Sequence, residues 1–119
     1  MNKTKVQLPR PIEAYVQAIN SHDPEALARC FDPNAVANDV SREFRGLSEI
    51  MTWARREIFA VQVTLELMGV KEEGGQTVLT ARIEGTFDRT GLPDPLIMEH
   101  ALTLAGDRIL SLTCRLSDT

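Results

Sequence analysis

The sequence predicts a single α+β domain, with helices in its first half and a sheet in its second. Three observations carry this. Apolar residues recur at helical spacing up to Ile58, they alternate at period two from Val61 onward, and the alternating runs are joined by tight turns, as an antiparallel meander requires. A length of 119 residues suffices for one core without staples, and 43% hydrophobic with 25% charged residues is ordinary for a globular chain.

The elements follow in order. Residues 1–10 read as a polar arm with no apolar signal core, and 11–119 as one domain. Pro11 suits a first-turn position, and Ile12, Tyr15, Val16 and Ile19 place a helix over 11–20. Asp23 followed by Pro24 is an N-cap and N1 pair; Leu27 and Phe31 give the second helix its buried face, and Asp32-Pro33-Asn34 stops it. His22, in the link between them, reads as a solvated or capping group. The segment 35–46, AVANDVSREFRG, holds a short strand, a turn and a return strand carrying Phe44. Gly46 opens a third helix with Leu47, Ile50, Met51, Ala54 and Ile58 in one stripe and Trp53 beside it. Val61, Val63, Leu65 and Leu67 then alternate as a strand, with a bulge or bend at Gly69 and a hairpin at Gly74-Gly75. Further strands are predicted over 77–87, 96–104 and 109–116.

A net charge of −4 argues against nucleic acid or an anionic membrane as the main partner, and no apolar run approaches membrane-spanning length. Cys30 and Cys114 have no metal-ligand spacing; they read as reduced, buried thiols of a cytoplasmic protein, with one disulfide as the alternative. The dinucleotide, P-loop, zinc-protease and serine-elbow motifs are all missing, so no cofactor and no metal are expected.

Charges in apolar surroundings mark the candidate site. Asp39 sits in a β-branched run where carboxylates are depleted; it either looks into a pocket or ends the strand and caps the turn through Ser41, Arg42 and Glu43. Glu99 is flanked on its own face by Ile97 and Ala101. If that face is internal, burial raises its pKa, and His100 points to the opposite face with Met98 and Leu102. Arg82 and Glu84 share a face as a solvent-exposed or dimer-interface pair.

The stretches YVQAINSHD (15–23) and FDPNAVAND (31–39), with Arg45-Gly46 before the third helix, resemble the NTF2-like superfamily, in its SnoaL-like and ketosteroid isomerase-like branches. The resemblance implies a cone-shaped, curved antiparallel sheet packed against three helices. It implies Asp39 as base, with Tyr15 and a neutral Glu99 as oxyanion donors, in the manner of a carboxylic acid kept protonated by an apolar site. Glu at the last position, where ketosteroid isomerases carry Asp, sets the donor about 1.5 Å further into the cavity. Phe44, Trp53, Ala101, Leu112, Cys114 and Leu116 are the implied ligand-binding lining. The function so implied is cofactor-free acid–base chemistry, an isomerase- or cyclase-like proton transfer next to a carbonyl of a small apolar ligand. A non-catalytic ligand-binding or dimerisation domain of the same fold is the alternative. Relatives of this fold usually pair through the open sheet face, so a homodimer is expected, with Met68, Val78 and His100 as candidates for that face.

Overall fold

The structure, a computed structural model, describes residues 8–117. The expected arm therefore lies mostly outside the described residues, and its last member, Arg10, already begins α1 (Arg10–Asn20). Ile12, Tyr15, Ala18 and Ile19 form the buried stripe of α1. Asn20 ends the helix and clamps it to the sheet, its amide exchanging two hydrogen bonds with the backbone of Leu65 (2.7 and 3.0 Å). In α2 (Pro24–Cys30) the Asp23 carboxylate accepts the Ala26 N–H at 3.1 Å, the expected cap.

Boundaries differ from the sequence reading at several places, among them the strand expected over 77–87, which ends at Glu84; two have a clear local cause. Asp32-Pro33-Asn34 does not form a stop: the chain passes directly from α2 into β1 (Phe31–Asp39), and Phe31 is a buried strand residue. Pro33 is tolerated because the pairing of β1 is irregular between Phe31 and Val36, where no ladder N–H is required. The second difference follows α3 (Gly46–Ala54). A π-helical turn, Arg55–Phe59, extends it, so the next strand starts at Thr64 and not at Val61. Gly85 fits against this bend, since a Cβ there would lie 2.8 Å from the Val61 carbonyl oxygen.

β2 (Arg42–Arg45) hairpins back on β1, and β3 (Thr64–Glu73), β4 (Gln76–Glu84), β5 (Ile97–Ala105) and β6 (Arg108–Leu116) form the expected meander. The Gly74-Gly75 turn has positive φ at both residues (60° and 81°), which suits a two-residue hairpin. Six strands make one sheet in the order β2-β1-β6-β5-β4-β3. It is mixed, not wholly antiparallel, because the last strand of the meander returns beside β1 and runs parallel to it. Register shifts at Leu67/Gly69 and Thr103/Leu104 interrupt the ladders, as β-bulges do, and the sheet is curved. Its inner face meets the helices in one core that includes Tyr15, Phe31, Leu79, Leu102, Ile109 and Leu112.

Candidate active site

A cavity of about 490 Å³ opens between this inner face and the end of α3, a size typical of small-molecule sites. Period two decides which residues reach it. His100 and Asp39 are each cross-strand partners of Cys114, on β5 and β1 respectively, so all three project to one face. The intervening strand sets the Asp39 and His100 Cα atoms about 10 Å apart. Met98 and Leu116, paired two residues along, continue this floor. Trp53, Glu57 and Ile58 come from α3 and its π turn; Ile83, Phe87 and Leu96 close the far side. The fifth residue after Trp53 faces the same cavity as the fourth because the helix is widened there, a distortion common at functional sites.

His100 is the one imidazole in this lining, and it is 7% exposed. Its Nδ1 lies 2.6 Å from the Tyr15 hydroxyl, which is fully buried. The hydroxyl must donate to Nδ1, since the reverse arrangement would leave a buried O–H with no acceptor. Nδ1 is therefore the acceptor nitrogen, and the proton of the neutral ring sits on Nε2. No fully buried side-chain nitrogen or oxygen among the described residues lacks a partner, and Nε2 has none among them, so it is open to the cavity. Burial pushes the His100 pKa down to about 4, opposed by the Asp39 charge, and the ring is neutral at physiological pH. Burial likewise holds the Tyr15 and Cys114 groups in their protonated forms, with Cys114 further raised by Asp39.

Asp39 both ends β1 and lines the cavity, and of the turn residues it is the Arg42 side chain that it contacts. Its Oδ2 accepts from the Arg42 guanidinium (2.6 Å) and from the Trp53 indole N–H (3.2 Å), leaving Oδ1 without a partner among the described residues. Arg42 also makes a two-pronged contact with Glu57 (2.6 and 2.7 Å), whose pKa it lowers through those hydrogen bonds. Phe44 stacks on Trp53 at 5.5 Å and supports the wall from behind.

Glu99 does not reach this site. β5 carries the register opposite to the one the sequence suggested: Met98, His100 and Leu102 face inward, and Glu99 pairs with Arg115 (2.9 Å) on the outer face. The apolar neighbours that suggested burial were misleading, because Ala101 is buried on the outer face against its β4 partner Val78. For the same reason His100 does not belong to the outer face proposed for pairing. Tyr15 is held behind His100 and does not line the cavity. Of the six expected lining residues, Trp53, Cys114 and Leu116 line it; Phe44 lies behind the wall, Leu112 is packed in the core, and Ala101 is outside. His100, Glu57 and the loop residues Phe87 and Asp88 were missed. A histidine between Met98 and Leu102 at period two was the available signal for the first. Arg82 and Glu84 form an exposed ion pair at 3.0 Å, joined by Arg89. Both cysteines are free and buried. No group of metal-binding residues occurs among the described residues, and no helix there is long and apolar enough to cross a membrane.

Several solved structures share this architecture. A polyketide cyclase candidate from Sinorhizobium meliloti is 24% identical over 91% of this chain and 95% of its own, with a TM-score of 0.80. A protein of ketosteroid isomerase-like fold from Catenulispora acidiphila, crystallised with trimethylamine, is 22% identical over 94% and 88%, with a TM-score of 0.76. An NTF2-like protein of unknown function from Cytophaga hutchinsonii is 16% identical over 98% and 95%, with a TM-score of 0.73. These likenesses establish the NTF2-like fold. No curated protein matches the chain significantly. The model of the SnoaL-like domain matches residues 12–112, most of the chain, and the protein therefore belongs to the SnoaL-like domain family.

Proposed function

We propose that the protein is a cofactor-free enzyme that moves a proton next to a carbonyl of a small, mainly apolar substrate. The observation that carries this reading is the pairing, across one apolar cavity, of a carboxylate with a free oxygen and a neutral imidazole N–H. Asp39 Oδ1 takes the proton from the carbon beside the carbonyl. The electron pair left behind moves onto the carbonyl oxygen, and His100 Nε2–H donates a hydrogen bond to the resulting enolate. Protonated Asp39 returns the proton, at the same carbon or at the far end of a conjugated system. Tyr15 acts through His100, fixing its tautomer, and Glu99 has no part. The test is deuterium uptake beside the carbonyl of a panel of cyclic ketones and enones in heavy water, read by mass spectrometry. Asp39→Asn should slow uptake about 100-fold; equal uptake by wild type and variant, or none with either, contradicts the proposal.

One observation favours a second reading, a binding domain without chemistry: Asp39 already serves Arg42 and Trp53, as an orienting group would. The two free thiols suit a cytoplasmic setting. The proposal includes a homodimer paired through the outer sheet face, supported by Met68, 58% exposed at the β3 bulge. A monomer by light scattering at high protein concentration would remove that part.

A further inference from the structure

The cavity is polarised along its length, and the polarity says what kind of molecule it suits. At the inner end the free polar group is a donor, His100 Nε2–H, on a side chain that is more than nine-tenths buried and has no partner at that atom among the described residues. Towards the mouth the charged groups are carboxylates: Asp39, Glu57 and Asp88. No lysine or arginine lines the cavity among the described residues.

The nearby cations are otherwise engaged. Arg42 lies between Asp39 and Glu57 and offsets one of those two charges. Arg56 is exposed on the π turn and acts on Glu57 from a distance. Arg89 is bound to Glu84 and lies over the Phe87 ring. Asp88 accepts from Thr90, through its backbone N–H at 2.9 Å and its side chain, which lower the Asp88 pKa, so it keeps its full charge at the rim. Trp53 and Phe87 add aromatic walls beside these carboxylates, and aromatic faces attract cations.

We infer that the cavity takes an apolar ligand carrying an acceptor oxygen at its inner end and a protonated amine at its outer end. The inner half of this inference rests on the proposed use of His100; the outer half rests on the mouth carboxylates alone. A ligand with a carboxylate at its outer end would meet three carboxylates of which Arg42 offsets only one, in a partly desolvated mouth.

The experiment uses acetophenone and its 4-aminomethyl and 4-carboxylate derivatives, titrated into the whole protein at low salt. Trp53 is the sole tryptophan, so its indole N–H signal reports occupation of this cavity and no other. The aminomethyl compound should bind about tenfold or more tightly than the carboxylate, and the ratio should shrink as salt is added. Asp88→Asn should lower that ratio several-fold. Asp107→Asn, which removes the same charge in the β5–β6 turn, should leave it unaltered. Equal or tighter binding of the carboxylate overturns the inference, as does failure of the aminomethyl compound to shift Trp53. The readout is binding alone: a clear amine preference without deuterium uptake would sink the proposed chemistry and leave this inference standing, and the reverse result would do the opposite.

Discussion

The two faces of the sheet treat neighbouring polar residues in opposite ways. Glu99 and His100 are adjacent on β5, yet Glu99 meets Arg115 at a part-exposed surface while His100 lies between a buried tyrosine and an apolar cavity. On the outer face, charges pair with charges: Glu99 with Arg115, Arg82 with Glu84, Arg89 with Glu84. On the inner face, His100 finds no counter-ion and stays neutral, held by one neutral hydrogen bond. Charge is managed by pairing where water reaches and by protonation state where it does not. A group of the second kind is the one whose chemistry a ligand can use.

The contrast can be broken first with acid. The folded His100 pKa, about 4, lies below the ordinary value of 6.5, so the unfolded chain binds the extra proton first as pH falls. Stability from this group is complete above the ordinary value, declines as pH falls from there, and is fully lost below the folded value. The shift corresponds to about 3 kcal/mol. Urea titrations across that range should show this loss, and His100→Gln should flatten it. A wild-type profile no steeper than that of His100→Gln would show that His100 is not buried neutral.

A smaller effect is expected from Tyr15→Phe. It leaves Nδ1 of a buried imidazole without its donor, at a cost of about 1–2 kcal/mol by chemical denaturation. No measurable change would mean that the Tyr15–His100 bond is not made. Least is expected of Glu99→Gln, which weakens only a part-exposed ion pair and should shift stability by about 0.5 kcal/mol or less. A loss several times larger would place Glu99 in an interior environment and reverse the assignment of the two faces.

The fold was largely legible in the sequence because helical and period-two patterns, the Asp23-Pro24 cap and the Gly74-Gly75 turn each have a local physical cause. Asp39 was legible too, as a carboxylate in a strand. What failed was the direction of β5. Residues 96–104 are apolar on both alternations, so period two gives two solutions, and only the pairing with Cys114 and Asp39 across two further strands selects one. The parallel β1–β6 contact and the π turn depend on how distant segments meet, and neither leaves a local signature. Asp88 and Phe87 reach the mouth through the conformation of a loop, which residue type alone does not determine.

His100 presents a neutral Nε2–H to the cavity because Tyr15 occupies Nδ1. A long-range proton–nitrogen correlation spectrum of the imidazoles at neutral pH tests it most directly. The predicted result is a His100 ring protonated at Nε2 alone, with Nδ1 showing the shift of a hydrogen-bond acceptor and that preference weakened in Tyr15→Phe. A ring protonated at Nδ1, or at both nitrogens, would contradict the account.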